Sequence, residues 1–236
     1  MVLEMKVNKV EISETLEKVL PGEIENRSME IIQEEISHMG QMSVDRWNSF
    51  STAEKNVVKR AIHTSADFDY LDNIYFSKNA TENIMEAMKK GCTIVTDTNM
   101  AKAGINKPAA KALGCQVECF MADEDVAKKA KESGTTRAVA AIEKAATLSG
   151  PVIFAVGNAP TALVKIHEMV EKGQLNPVGV IGIPVGFVNV VAAKNIIVED
   201  GEIGRFSTIV GRGRKGGSNV AAAIINALMY MCTGRI

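Results

Sequence analysis

His63 is one of only three histidines in the chain, and it lies near the end of a predicted amphipathic helix. Ser51 and Glu54 have the spacing of a capping box, so this helix should begin near Thr52. At about 100° per residue, His63 falls nearly opposite the apolar stripe of the helix, and Arg60 lies one turn earlier on the same side. The apolar stripe consists of Ala53, Val57, Val58, Ala61 and Ile62. The pattern predicts a histidine that faces away from the core with an arginine beside it.

Two roles for His63 are compatible with this helix. A histidine at a helix C-terminus can hydrogen-bond the last carbonyl groups and have no further function. Histidine is also the side chain that most readily gains or loses a proton near neutral pH, which suits it to general acid–base catalysis. The helix alone favours the capping role.

A glycine-rich segment near the end of the sequence has the features of an anion-binding loop. Gly211, Gly213 and Gly216 match the pattern GxGxxG, after a predicted strand and before a predicted helix. Residues 205–215 include four cationic side chains and no acidic one. Glycine-rich backbone at a helix N-terminus binds anions, and Arg212, Arg214 and Lys215 would add positive charge. A solvated basic loop is the alternative.

The same glycine pattern also occurs in dinucleotide-binding enzymes. That fold needs a further strand and an acidic residue about 20 positions on to hold the ribose. Neither follows Gly216 in the sequence. A nicotinamide-dependent oxidoreductase is therefore the weakest of the functions considered.

Arg137 is the second unusual cation. It stands at the start of a predicted helix, where the helix dipole disfavours a positive charge by a few tenths of a kcal/mol. A bound anion would offset this cost, and so would a nearby surface carboxylate. His38 and His167 lie on charged helical stretches and are expected to face solvent.

Predicted strands and helices alternate along most of the chain, which is typical of a parallel sheet. We predict strands over 74–76, 92–96, 116–119, 152–156, 178–183 and 207–210. We predict helices over 13–20, 23–38, 52–63, 79–90, 108–113, 123–132, 136–148, 160–172 and 219–231, with a loop over 40–50. The expected fold is a single α/β domain over 1–236, with three layers: a mainly parallel central sheet and helices on both faces. Ligands bind such folds at the carboxyl ends of the strands.

Composition excludes several classes of function. The chain has 236 residues and a net charge of -1, so no overall field favours nucleic acid or an anionic membrane. No apolar run reaches the roughly 18 residues that a membrane span needs, and no signal peptide is visible. The four cysteines form no CxxC pair and are expected to be buried thiols, with no metal site. We therefore expect a cytoplasmic protein.

The special segments together resemble the precorrin-8X methylmutase family, also called precorrin isomerases, of cobalamin biosynthesis. The resemblance runs from about Ile24 to Tyr230, and its motifs occur in the family's order. They are Asn26-Arg27-Ser28, Arg60-Ala61-Ile62-His63, Thr136-Arg137, Gly157-Asn158-Ala159-Pro160-Thr161-Ala162-Leu163, Pro184-Val185-Gly186-Phe187-Val188 and Gly211-Arg212-Gly213-Arg214-Lys215-Gly216-Gly217-Ser218.

The resemblance implies an isomerase that moves a methyl group from C-11 to C-12 of precorrin-8X or cobalt-precorrin-8. The product would be hydrogenobyrinic acid or cobyrinic acid. The reaction needs no cofactor of the protein, since cobalt, when present, belongs to the substrate. The resemblance also implies a homodimer. It favours the catalytic role for His63, as proton donor and acceptor. It implies that Ser28 and Arg60 contact the substrate, and Arg137 matches an arginine of the family. Together with the anion-binding loop, we expect the substrate-binding residues to be Ser28, Arg60, Arg137, Asn158, Arg212, Arg214, Lys215, Gly216, Gly217 and Ser218.

Two points remain open in the sequence. Where the family pattern has an acid and a serine before Lys194, this chain has Ala192 and Ala193, so no carboxylate or hydroxyl role is assigned there. Ser28 lies within an apolar stripe, where a serine either bonds its own helix or faces a site. The competing function is a corrinoid or tetrapyrrole carrier without catalysis, which would use the same crevice.

Overall fold

The computed structural model describes residues 17–236, which form one six-stranded sheet flanked by helices. The strands are β1 Ile74–Phe76, β2 Thr93–Thr96, β3 Gln116–Glu118, β4 Val152–Val156, β5 Gly179–Gly182 and β6 Ser207–Gly211. Their order in the sheet is β1-β6-β5-β4-β2-β3, and every neighbouring pair is parallel except β1 with β6. The predicted α/β fold with a mainly parallel sheet is confirmed.

The helices alternate with these strands over most of the described chain. They are α1 Ile24–Ser37, α2 Gln41–Ser49, α3 Thr52–Ser65, α4 Tyr70–Asn73, α5 Ala80–Lys89, α6 Asn99–Gly104, α7 Lys107–Ala112, α8 Glu124–Glu132, α9 Arg137–Ala145, α10 Pro160–Glu171, α11 Val190–Glu202 and α12 Ser218–Cys232. Within residues 17–236, no helix is both long enough and apolar enough to cross a membrane.

Two apolar clusters cover the two faces of the sheet. Successive side chains of a strand point to opposite faces. In β4, Ile153 and Ala155 join the cluster built with α1, α3, α5 and α12, whereas Val152, Phe154 and Val156 join the cluster built with α9, α10 and α11. The three-layer arrangement is therefore confirmed. The sheet-facing α12 is buried nearly all round, as its apolar sequence predicts.

Helix α3 forms as the sequence predicts. The hydroxyl of Ser51 accepts a hydrogen bond from the Glu54 N–H, and the Glu54 carboxylate accepts one from the Ser51 N–H, so the capping box is present. Val57, Val58, Ala61 and Ile62 of the apolar stripe are buried, Ala53 is partly buried, and Ala66 ends the helix in the left-handed conformation at φ 53°. By contrast, Asn79 precedes α5 without a side-chain capping bond, although asparagine is a common residue at that position.

Residues 40–50 contain helix α2 and are not the loop that the sequence predicts. The helix has three apolar residues, Met42, Val44 and Trp47, and only Trp47 is buried, so its apolar periodicity is weak. Long-range bonds stabilise it: the Arg46 guanidinium donates to the carbonyls of Leu71 at 2.9 Å and Ile74 at 2.6 Å. The helix predicted over 13–20 is absent from residues 17–20, and residues 13–16 lie outside the described part.

The sequence also does not predict helices α6 and α11. Helix α11 packs against both α10 and the sheet, so apolar residues occur on more than one side and the amphipathic contrast is lost. Thr98 caps α6 by accepting a hydrogen bond from the Ala101 N–H, in a segment where no helix is predicted from the sequence.

Candidate active site

Four loops meet at the carboxyl edge of the sheet. They comprise residues 97–98 after β2, 157–159 after β4, 183–189 after β5 and 212–217 after β6. Parallel strands place these loops side by side. The edge is therefore the candidate active site.

The antiparallel strand β1 brings the end of α3 to the same edge. Ile74, at the start of β1, pairs with Gly211, at the end of β6. Residues 66–73, which join α3 to β1, therefore lie beside the glycine-rich loop that follows β6. The Arg212 N–H donates to the Asn73 carbonyl at 2.9 Å, which fixes this neighbourhood.

His63 is exposed at the end of α3, opposite the buried stripe, so the predicted orientation is confirmed. Within residues 17–236, the His63 ring makes no hydrogen bond. Other groups bond the last carbonyl groups of α3: the Ala66 N–H donates to the Ile62 carbonyl, and the Ser65 hydroxyl donates to the Ala61 carbonyl. The structure therefore gives His63 no capping function. Its imidazole is free to meet a ligand, and its catalytic role remains a prediction.

Lys215 joins the glycine-rich loop to residues 67–69, which follow the helix that carries His63. Its ammonium lies 2.7 Å from a carboxylate oxygen of Asp67 and also pairs with Asp69. The two carboxylates hold the pKa of Lys215 above its usual value. Lys215 is therefore a tie between two parts of the site, and its charge is largely matched.

Arg60 and Ser28 are both engaged with protein groups. The Arg60 guanidinium lies 2.6 Å from the Glu25 carboxylate of α1 and 5.4 Å from the centre of the Tyr230 ring. A hydrogen bond from Arg60 lowers the pKa of Glu25. The Ser28 hydroxyl donates to the Ile24 carbonyl at 2.8 Å, which is the local bond that its position allows. Their contact with substrate remains a prediction.

Arg212 and Arg214 differ from Lys215. Within residues 17–236, neither arginine has a carboxylate partner, and both are exposed. The Arg212 guanidinium lies 5.0 Å from the centre of the Tyr75 ring, and that of Arg214 lies 5.5 Å from the centre of the Phe187 ring. An aromatic face orients a guanidinium and leaves its N–H groups able to bind a carboxylate.

A buried carboxylate shapes the loop after β4. Asp97 is 4% exposed and accepts hydrogen bonds from the N–H groups of Gly157 at 2.8 Å, Asn158 at 2.7 Å and Ala159 at 2.6 Å. Burial raises the pKa of Asp97, while the three N–H groups act in the opposite direction. Asp97 thus fixes the backbone that presents Asn158, whose side chain is exposed.

The end of the glycine-rich loop is packed against its neighbours. The Gly217 N–H donates to the Ile183 carbonyl at 2.9 Å, and a Cβ on Gly216 would collide with that carbonyl. The hydroxyls of Ser218 and Thr98 lie 2.7 Å apart. The Gly217 N–H is therefore already bonded within the protein, and the contact of Gly216, Gly217 and Ser218 with substrate remains a prediction. Gly216 and Gly217 allow a close approach of two loops.

Arg137 lies at the same edge but on the other face of the sheet. It is exposed at the first position of α9. The hydroxyls of Thr136 and Thr161 lie 3.2 Å apart, which joins the start of α9 to the start of α10. His63, on the α3 side, and Arg137 thus flank the carboxyl edge from opposite sides, and nothing brings them into direct contact.

A sequence model of the precorrin-8X methylmutase family matches residues 23–231. The chain belongs to this family. It is 38% identical to the cobalt-precorrin-8 methylmutase of Leptospira interrogans, over 90% of this chain and 94% of that protein. It is 41% identical to the enzyme of the same name from Salmonella typhimurium, over 76% of this chain and 82% of that protein.

A solved structure shares the fold. The precorrin-8X methyl mutase from Thermus thermophilus superposes with a TM-score of 0.77 at 34% identity, covering 90% of this chain and 98% of the other. A methylmutase moves a methyl group within one molecule. The precorrin-8X methylmutase family is therefore a family of isomerases, and this chain is an isomerase.

Of the other two histidines, His38 lies as the sequence predicts and His167 does not. His38 is exposed, as expected, and bonds the Glu34 carbonyl at 2.8 Å. His167 is not an ordinary solvent-facing residue, because its Nδ1 lies 3.0 Å from the carboxylate of Asp200, which is buried. Arg205 also pairs with Asp200, at 2.7 Å. Of the four cations in residues 205–215, Arg205 is therefore already matched by a carboxylate.

The cysteines are thiols, and most are buried. Cys92, Cys115 and Cys119 are buried, and Cys232 is partly buried. Within residues 17–236, no group of three or more His, Cys, Asp or Glu side chains is placed to hold a metal ion.

Sequence reasoning missed the residues that hold the site loops. Asp97 follows β2 directly, and an acidic residue at the carboxyl end of a buried strand is a usable sequence signal for a site. Lys194, on α11, is fully buried and bonds the glycine-rich loop, and the family pattern around it predicts neither its burial nor these bonds. Asp67 and Asp69 follow His63 closely in the sequence, but their pairing with Lys215 depends on the tertiary fold.

Proposed function

We propose that this chain moves the methyl group at C-11 to C-12 of precorrin-8X or cobalt-precorrin-8, in the biosynthesis of the corrin ring of cobalamin. The product would be hydrogenobyrinic acid or cobyrinic acid. The observation that carries the proposal is the tie from Lys215 to Asp67 and Asp69, because it holds an exposed histidine, His63, next to the cationic loop.

The charge of the edge supports this choice of substrate. The substrate is a macrocycle with several acetate and propionate groups. Arg212 and Arg214 on one side of the edge, and Arg137 on the other, are exposed and have no carboxylate partner within residues 17–236. Arginine pairs with carboxylates through two parallel hydrogen bonds, so separated arginines suit a ligand with separated carboxylates.

His63 is assigned the proton transfer that accompanies the methyl shift. The shift requires one tautomer and one protonation state of the macrocycle. A histidine at the ring can supply that proton and recover it afterwards. No electrons are gained or lost overall, and the methyl group already belongs to the substrate, so the proposal includes no cofactor. Rigid binding of the ring supplies the alignment of the migrating group.

A homodimer in the cytoplasm is part of the proposal. Phe187 and Val188, in the loop after β5, are each 80% exposed, and large exposed apolar side chains are commonly covered by another protein surface. A second copy of the chain is the partner we propose. Free thiols support the cytoplasm: Cys92 and Cys115 have sulfur atoms 3.6 Å apart that are not bonded to each other.

The test is a conversion assay with the purified protein. Metal-free and cobalt-loaded substrates are added separately, and the visible spectrum is followed for the product corrin, with protein-free mixtures as controls. We expect conversion of at least one substrate, and the faster one identifies the natural form. Tight binding of both without conversion over hours would refute the isomerase and support a corrinoid carrier.

A further inference from the structure

We infer that Lys194 is the positioning residue that holds the glycine-rich loop between β6 and α12 in the shape that presents its arginines to the substrate. This inference rests on the proposed function only for the identity of the ligand. The shape of the loop itself can be measured without any corrin.

Lys194 is a buried cation with unusual partners. Its side chain is 0% exposed, and it lies on α11, directly beneath the loop. Its ammonium donates to the carbonyls of Gly213 at 2.9 Å and Lys215 at 2.8 Å. Within residues 17–236 it pairs with no carboxylate, so the loop backbone is its only hydrogen-bonding partner.

Three consecutive carbonyl groups of the loop are turned toward the protein. Lys194 bonds those of Gly213 and Lys215, and the carbonyl of Arg214 between them accepts the Gly186 N–H at 3.2 Å. A carbonyl oxygen on the outer side would repel a carboxylate. Holding all three inward therefore favours the approach of an anionic ligand.

The loop needs such a clamp because its own backbone is permissive. Gly213 has φ +78°, a conformation that glycine adopts easily and leaves just as easily. The guanidinium of Arg212 packs against the Tyr75 ring, and that of Arg214 packs against the Phe187 ring. A shift of the loop would separate the arginines from these rings. Lys194 bonds the backbone on both sides of Arg214 and limits that shift.

The fold bears a cost for this lysine. Burial lowers the pKa of Lys194 to about 8. An apolar side chain of similar length would avoid that cost, since buried charges are often replaced by apolar residues without loss of stability. Because the hydrogen bonds of the Lys194 ammonium within residues 17–236 all go to the loop backbone, its burial is explained by a role in holding that loop.

The first test is limited proteolysis of the Lys194→Met variant. Trypsin cleaves after Arg212, Arg214 and Lys215, which are exposed, whereas Lys128 lies within α8 and reports on wider unfolding. The ratio of loop cleavage to cleavage at Lys128 should rise roughly tenfold, because two hydrogen bonds from a charged donor are lost. The matched control is Ile197→Ala, which removes a buried side chain one turn further along α11 and should leave the ratio unchanged.

The second test measures conversion of the corrin substrate. Lys194→Met should raise KM roughly tenfold and leave kcat within about threefold, since the loop binds substrate and does not carry the proton. Lys194→Gln keeps one donor group and should fall between the two in both tests. It also decides the matter if Lys194→Met does not fold.

Two results would overturn the inference. One is a cleavage ratio in the Lys194 variants equal to that of Ile197→Ala. The other is a lowered kcat with an unchanged KM. If the wild-type protein converts no corrin at all, the proposed function fails, while the cleavage ratio still decides whether Lys194 holds the loop.

Discussion

At the scale of single residues, the cations of the glycine-rich loop fall into two groups. Arg212 and Arg214 lean on aromatic rings, whereas Lys215 is paired with Asp67 and Asp69. The sequence places these cations in one loop, and that prediction is sound. The sequence cannot show which of these cations is already paired with a carboxylate, because the aspartates that pair with Lys215 lie almost 150 positions earlier in the chain.

This division predicts unequal effects of two similar substitutions. Arg214→Gln should weaken binding of the product corrin about tenfold, because it removes a cation that is free to pair with a ligand carboxylate. Lys215→Gln should weaken it less than about threefold, because its charge is already matched. Titration of the corrin's visible absorbance measures both dissociation constants. Equal losses, or a larger loss in Lys215→Gln, would contradict the assignment.

Asp97 gives a second prediction at this scale. Asparagine has the same shape but only one acceptor oxygen, and its NH2 group would face backbone N–H donors. Asp97→Asn should therefore lower the free energy of unfolding by about 2–4 kcal/mol. Urea denaturation measures the change, with the exposed Asp125→Asn as control. A loss in Asp97→Asn no larger than in the control would show that the three bonds to Asp97 do not stabilise the fold.

At the scale of elements, the strands and most of the helices were predictable from the sequence, whereas others, such as α2, α6 and α11, were not. Helix α3 carries a capping box and an apolar stripe, so local sequence specifies both its start and the face of His63. Helix α11 is covered on two sides, which removes the contrast that identifies a surface helix. The consequence for the site is direct, because the missed helix carries Lys194.

The contact between β4 and α12 leads to a prediction about Gly157. A Cβ at this position would lie 2.6 Å from the Ser218 Cα, which is backbone and cannot move independently. Gly157→Ala should lower the free energy of unfolding by about 1–3 kcal/mol through overpacking. Gly182→Ala is the control, since its Cβ would lie 3.5 Å from the nearest side chains. If the two variants unfold at the same urea concentration, the close approach of the loops is not a constraint.

At the scale of the whole molecule, charge is distributed unevenly. The net charge of -1 predicts no attraction for polyanions, yet the carboxyl edge gathers exposed arginines on both of its sides. This local field arises from the topology, because parallel strands bring distant loops together and the antiparallel β1 adds the end of α3. Composition alone could not predict it.

The local field predicts sensitivity to salt. Raising the ionic strength from about 20 mM to about 500 mM should raise KM for the corrin substrate about fivefold or more, because salt screens the attraction between arginines and carboxylates. The kcat should change little, since the proton transfer occurs within the bound complex. A KM that is independent of salt would argue for apolar recognition of the macrocycle in place of carboxylate binding.

The central claim is that His63 transfers the proton at the macrocycle, and a comparison of two histidine variants tests it most directly. His63→Ala and His38→Ala each remove one exposed histidine from a helix end, but only His63 lies at the carboxyl edge. Single-turnover conversion, followed by visible absorbance, should slow at least about a hundredfold in His63→Ala, with product binding retained and with His38→Ala at the wild-type rate. Conversion by His63→Ala at the wild-type rate would contradict the account.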